Sequence, residues 1–238
     1  MIVLQQIQRT SETIRLSAQI DTALCVGAGG SSGSLADKPI VRTGDNRLLI
    51  PGSQVKGRLR HECEKIARGL GWPVCESPRA EMMCPQRASN SGEEEQRFLI
   101  SGYQTDRDTE NRHHCLICQI FGNPSLASSI DVDDLICDAE DLPEVIRPGV
   151  TINRRRRTAE DAKLYFLETS PPALTLLFTG ALHLYPQAPP QTKPLISSAF
   201  KHIHALGGSK SGGLGWLTWQ GESWDLQNQN WSILLPGG

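Results

Sequence analysis

Four cysteines carry the most chemically specific spacing in the chain. Eight residues separate Cys75 from Cys84, and Cys115 and Cys118 form a Cys-x-x-Cys knuckle. Two thiolates in such a knuckle suit two corners of a tetrahedral zinc ion, and a second pair closes the site. His113 and His114 adjoin the knuckle and could substitute for a thiolate. Residues 71–122 are polar, irregular and poor in core formers, so a structural Zn2+ would act there as a staple. The competing reading is a set of reduced, unligated thiols. Cys25, Cys63 and Cys137 read as ordinary thiols. The cysteine total, 7, is odd, and MIVLQQIQRT lacks the basic start and apolar run of a signal peptide. A disulfide framework is therefore not expected, and a cytoplasmic protein is.

A second chemistry is anion binding. In IPGSQVKGRLR, at 50–60, a turn feeds into a helix whose first backbone N–H groups are free, and the helix dipole favours an anion there. Ser53 is the expected cap, and Lys56, Arg58 and Arg60 would add charge-assisted contacts to a phosphate. The loop GGSKSGGLG at 207–215 presents Gly208, Ser209, Lys210, Ser211 and Gly212, whose backbone freedom lets N–H groups crowd around a phosphate chain. Arg154, Arg155, Arg156 and Arg157 form a third basic element. Each alone has a plain reading: a capped amphipathic helix, a flexible turn, a solvated loop. Asp37, in a loop rich in glycine and serine, becomes chemically interesting only if a polynucleotide lies across that loop.

The elements that must position these residues follow from periodicity. Alternation of Ile14, Leu16, Ala18 and Ile20 predicts a strand over 12–20. A glycine-rich loop follows at 27–39, then a short strand and turn over 47–53. Val55, Leu59, Cys63, Ile66 and Leu70 predict a helix over 54–70. Beyond the cysteine region lies an acidic stretch at 131–144, then extended structure over 150–168 broken by a charged excursion. A strand over 174–185, a helix over 195–206 and a last strand from 216 complete the order. These are the parts of an α+β, ferredoxin-like sheet with a large insertion. That topology hosts many functions, and the aromatic motifs of a standard RNA-recognition domain are absent, so RNA would be held by loops. The balance of 24 Lys and Arg against 26 Asp and Glu does not advertise a polyanion partner. Seven of those acids sit in 131–144, however, leaving the rest of the chain net positive, and the local field is what steers a ligand. The longest apolar run, 173–185, is too short and too interrupted to span a bilayer.

Five segments in order resemble the RAMP superfamily, in particular the backbone subunit of type III CRISPR effector complexes (the Cas-seven group). They are IRLSAQI at 14–20, ADKPIVRTGDNRLLIPGSQVKGRLR at 36–60, CLICQIFGNPS at 115–125, GVTINRRRRTAEDAKLYFLETSPPA at 149–173 and ALGGSKSGGLGW at 205–216. The resemblance implies a single RAMP domain over 1–238: an RRM-like palm with a zinc-bearing insertion at 71–122 and an acidic stretch and thumb-like β-hairpin at 123–173. It implies binding of a CRISPR guide RNA, with selectivity delegated to base pairing with a complementary target RNA. Neighbouring RAMP subunits and the large signalling subunit are the implied protein partners. The thumb would kink the guide–target duplex, making Arg154 to Arg157 RNA contacts, and IPGSQVKGRLR and GGSKSGGLG match guide-binding elements. Asp37 matches the family's catalytic aspartate, which implies endoribonuclease cleavage by attack of a target 2′-OH, with Mg2+ or another divalent cation in support. Lys38 departs from the small residue the family places after that aspartate. Other readings are a catalytically silent scaffold and a guide-processing endoribonuclease using His61, His113, His114, His202 or His204. A zinc-stapled RNA adaptor outside CRISPR biology is a further one.

Overall fold

Strand alternation survives intact in β1 (Glu12–Ile20), where Leu16, Ala18 and Ile20 are buried and Arg15, Ser17 and Gln19 face outward. The computed structural model describes residues 11–27, 36–79, 82–84, 86–87, 112–220 and 231–234. Residues 28–35 of the glycine-rich loop, 88–111 of the cysteine region and 221–230 beyond the last strand lie outside the described residues, as does the side chain of His113.

In chain order, β1 is followed by β2 (Leu49–Ile50), α1 (Gly52–Gly69), β3 (Gln86–Arg87), β4 (Arg112–His113) and α2 (Leu116–Phe121). Then come β5 (Ile130–Val132), β6 (Leu135–Cys137), β7 (Val145–Asn153), β8 (Thr158–Thr169), β9 (Leu176–Leu184), α3 (Thr192–His202) and β10 (Leu217–Gln220). The main sheet is antiparallel with order β10-β1-β9-β6-β2, and β5 also pairs with β9. Thus β5 and β6 run along the same edge of β9, interrupted at Asp133 and Asp134. Gly180 makes room for that interruption, since a Cβ there would lie 2.9 Å from the Asp134 carbonyl oxygen. Val55, Leu59, Cys63 and Ala67 of α1 and Leu195, Ile196, Ala199 and Phe200 of α3 join the inward residues of the sheet in one core. Phe200 meets Trp219 edge-on, with ring centroids 4.6 Å apart.

Two expectations shift. Helix α1 starts at Gly52, so Ser53 lies inside the helix; no side chain caps it from the N-cap position, which is Pro51. Instead the Gly52 N–H donates to Asp134 Oδ1 at 2.7 Å. Only glycine permits that approach, because a Cβ on Gly52 would sit 2.1 Å from the Val132 carbonyl oxygen. Helix α3 runs from 192 to 202 rather than 195 to 206: Pro194 fits its first turn, and Ala205 leaves to bridge Trp216. The extended region does form a β-hairpin, β7–β8, as a two-stranded sheet of its own. Leu167, Glu168 and Thr169 bury its base, while Ile146, Val150, Ile152 and Leu164 stand exposed along its length. Among the described residues no helix is long and apolar enough to cross a membrane.

Candidate metal centre and nucleic-acid interface

The segment after α1 delivers Cys75, and the start of α2 delivers the knuckle, with Cys115 at the N-cap and Cys118 in the first turn. Cys84 comes from the segment before β3. The four Sγ atoms lie within 4.8 Å of one another, all on buried residues, and Cys75 and Cys118 are 3.6 Å apart. A tetrahedron with Zn–S bonds of about 2.3 Å has S···S edges of about 3.8 Å. A disulfide would need about 2.05 Å, and all four cysteines are free. The Cys115 N–H points at Cys84 Sγ, 3.2 Å away. Hydrogen bonds from Cys115 drive Cys75 and Cys118 toward thiolate, below the ordinary thiol range, while Cys84 and Cys115 are pushed up as partners that keep their protons. Crowded buried sulfurs of this kind suit a thiophilic cation, which removes their mutual repulsion when ionised, so the set fits a structural Zn2+. His114 is not in the cluster; it is buried, with Nδ1 2.8 Å from Asn123 Nδ2.

The basic residues of α1 are already engaged within the chain. Lys56 Nζ donates to the Ile130 carbonyl at 2.8 Å and lies 3.4 Å from Asp131 Oδ1. Arg58 pairs with the buried Glu62 at 2.8 Å, an acid that Lys65 also reaches. Arg60 contacts Glu64, the Gly122 carbonyl and Cys118 Sγ. With Asp134 on the first N–H, this helix start offers less free positive charge than its spacing predicts. The partners of its first N–H and of Lys56 come from residues 130–134, in and beside the acidic stretch, a pairing with no local signal in the sequence.

Three other motifs converge. Leu214 of the glycine-rich loop packs with Ala23, Cys25 and Leu167, which joins that loop to the base of the hairpin. The Gly208 N–H donates to the Cys25 carbonyl at 2.7 Å, and the Gly215 N–H to the Ala23 carbonyl at 2.9 Å. Gly208, Ser209, Lys210, Ser211 and Gly212 remain exposed, and Lys210 Nζ folds back on the Gly207 carbonyl at 3.1 Å. Asp37 lies at the same hairpin base. Its Oδ2 accepts the Phe166 N–H at 2.7 Å, and its own N–H donates to the Phe166 carbonyl at 3.0 Å. The adjoining Lys38 pairs in parallel with Leu167, so the Asp37 segment lies alongside β8. Glu168, unremarked in the sequence, holds this segment. One carboxylate oxygen accepts the Ile40 N–H at 3.0 Å, and the other faces Arg42 at 3.4 Å.

The arginine quartet stands elsewhere, on the turn at the far end of the hairpin, about 30 Å of extended chain from the base. Asn153 organises that turn: its Oδ1 accepts the N–H groups of Arg155 and Arg156, and Arg157 takes a left-handed φ of 56°. All four arginines are exposed, with no carboxylate in ion-pair range among the described residues. The sequence also gave no hint that Tyr165 lies over Gly149, where a Cβ would meet its ring at 2.4 Å. Of the histidine candidates, His61 is exposed on α1, and His202 and His204 are exposed at and after the end of α3. Among the described residues the cysteine set is the only group of three or more ligating side chains close enough for one metal. Asp37 alone, with one oxygen engaged, does not make a Mg2+ cage.

The family model described as the RAMP superfamily matches residues 18–218, a span that takes in the cysteine cluster, the hairpin and the glycine-rich loop. No curated protein matches the chain.

Proposed function

The chain belongs to the RAMP superfamily, and from that premise we propose that it is a guide-RNA-binding backbone subunit of a type III CRISPR effector complex. The strand order β10-β1-β9-β6 with α1 and α3 is then a ferredoxin-like palm, and β7–β8 is its thumb. The cysteine set holds a structural Zn2+ that ties the two ends of the 71–122 insertion, the segment after α1 and the start of α2, to each other. The guide runs over the glycine-rich loop toward the hairpin base, base pairing selects the target RNA, and neighbouring RAMP subunits and the large signalling subunit complete the assembly.

The observation that carries this reading is the hairpin itself. A two-stranded ribbon is marginal in water on its own, and this one exposes Ile146, Val150, Leu164 and Phe166 beneath four exposed arginines that find no carboxylate partner among the described residues. Apolar side chains wedge between bases and guanidinium groups hold phosphates, so a kinked RNA duplex is a partner that would complete both surfaces.

In the proposed reaction a target 2′-OH attacks the adjacent phosphorus. The 2′-O–P bond forms, the P–O5′ bond breaks, the 2′ proton departs and O5′ gains a proton, leaving a cyclic phosphate and a 5′-hydroxyl. In-line alignment comes from the kink, and Asp37 orients the attacking hydroxyl through the oxygen not engaged by Phe166. A second reading, a silent scaffold, draws on that same contact, because an aspartate that pins β8 has a structural role of its own.

Reconstituted complex carrying Asp37→Ala separates the two readings. Loss of target cleavage by about a hundredfold or more, with target binding kept within about twofold, supports catalysis. Unchanged cleavage supports the scaffold. In the same complex, replacing Arg154, Arg155, Arg156 and Arg157 by alanine should flatten the slope of log affinity against log salt by about 3 for single-stranded RNA. An unaltered slope would remove the quartet from the interface.

A further inference from the structure

We propose that Arg60 belongs to the metal centre: its guanidinium supplies the counter-charge to the Cys118 thiolate and locks α2 onto α1. This inference rests on reading the four cysteines as a metal site. Of the three basic residues near the start of α1, Arg60 is the one turned toward the sulfur cluster. Its Nη2 lies 3.6 Å from Cys118 Sγ, its Nη1 donates to the Gly122 carbonyl at 3.0 Å, and its Nε donates to Glu64 at 3.2 Å. Gly122 is the C-cap of α2, so the same cation also meets the negative end of the short helix that carries Cys115 and Cys118.

The chemistry explains the arrangement. Four thiolates around a divalent ion carry a net charge of about −2, and these sulfurs lie in the protein core. A buried negative charge is costly unless positive charge and hydrogen-bond donors lie against it. Arginine can serve a sulfur, a carbonyl and a carboxylate at once through its planar fork of donors, whereas a lysine ammonium cannot span all three. Glu64, with only 16% of its side chain exposed, orients the guanidinium from the other side and also reaches Arg68 at 3.7 Å. Outer groups of this kind commonly set metal affinity by about 10- to 100-fold.

The test uses the full chain with Arg60→Gln, Arg60→Lys and, as a neighbouring control, Arg58→Gln. Bound zinc is measured by elemental analysis, its loss is followed against a competing chelator, and thiolate-to-metal absorption is recorded after loading with Co2+. The expected result is metal affinity lowered about 10- to 100-fold in Arg60→Gln, an intermediate loss in Arg60→Lys and none in Arg58→Gln. Should Arg60→Gln fail to fold, Arg60→Lys and its cobalt spectrum decide the matter. Wild-type metal retention in both Arg60 variants, together with a weaker salt dependence of binding to a single-stranded RNA oligonucleotide, would overturn the assignment and return Arg60 to the RNA surface. A wild-type chain that takes up neither zinc nor cobalt would instead defeat the metal centre itself, a result distinct from failure at Arg60 alone.

Discussion

Glu168→Ala should be among the most damaging single substitutions near the hairpin base. The Glu168 side chain is 5% exposed and faces Arg42, itself 13% exposed, at 3.4 Å. Its second oxygen accepts the buried Ile40 N–H. Truncation removes both contacts together. Among the described residues, Arg42 then keeps only the neutral acceptors of Nη1, the carbonyls of Asn46 and Leu142 at 3.2 and 3.4 Å, and its Nε already lacks a partner there. Stranding one member of a buried pair costs about 3–5 kcal/mol, a range wide enough to contain the lost amide bond. For a domain of this size that lowers Tm by about 6–20 °C. If the segment opens locally instead, exchange of the Ile40 amide should speed up by about two to three and a half orders of magnitude. Glu168→Gln keeps an acceptor for Ile40 and should lose roughly half as much. The double change Glu168→Leu with Arg42→Met should be less damaging than Glu168→Ala, because it leaves no stranded charge. Thermal melts and amide exchange on wild type, Glu168→Leu, Arg42→Met and the double variant complete the cycle, with Glu168→Ala and Glu168→Gln measured alongside. A fall in Tm under about 2 °C with unchanged Ile40 exchange would refute the claim that this pair fixes the Asp37 segment.

Two further outcomes test the packing. Gly215→Ala should cost roughly 2 kcal/mol or more, since Gly215 has φ +69° and an added Cβ would lie 1.9 Å from the Leu206 carbonyl oxygen. Gly212→Ala, with nothing within 4 Å, should stay within about 0.5 kcal/mol, and equal losses in denaturant melts would contradict the loop geometry. Burial raises the Cys63 thiol above its ordinary value of 9.0. Below that pH both folded and unfolded chains keep the proton. Above it only the unfolded chain releases it, so stability should fall as pH rises, by up to about 1.4 kcal/mol per unit. Cys63→Val should remove that portion of the alkaline slope, and an identical slope between pH ~8 and ~10.5 would count against it.

What the sequence determined by itself is local and periodic. The alternation of Leu16, Ala18 and Ile20 and the helical spacing of Val55, Leu59 and Cys63 each mark one buried face, because the backbone repeat decides which side chains point together. The cysteine spacing was legible for a related reason: a knuckle places two sulfurs within reach of one ion whatever surrounds it, and all four sulfurs do gather. Side-chain direction and partnership were not legible. Asp134 caps a helix 82 positions earlier in the chain, and Glu168 holds an amide 128 positions earlier. Similar basic residues on one helix met different fates, Lys56 at a strand end, Arg58 on a buried acid and Arg60 at the sulfurs. The four arginines, contiguous with nothing basic in the fold, ended at the far tip of the hairpin, whereas Asp37 and the glycine-rich loop came together at its base. Only the tertiary structure decides such matters, because a charge takes the partner that chain closure brings to it, and that choice is made between segments whose sequences carry no record of one another.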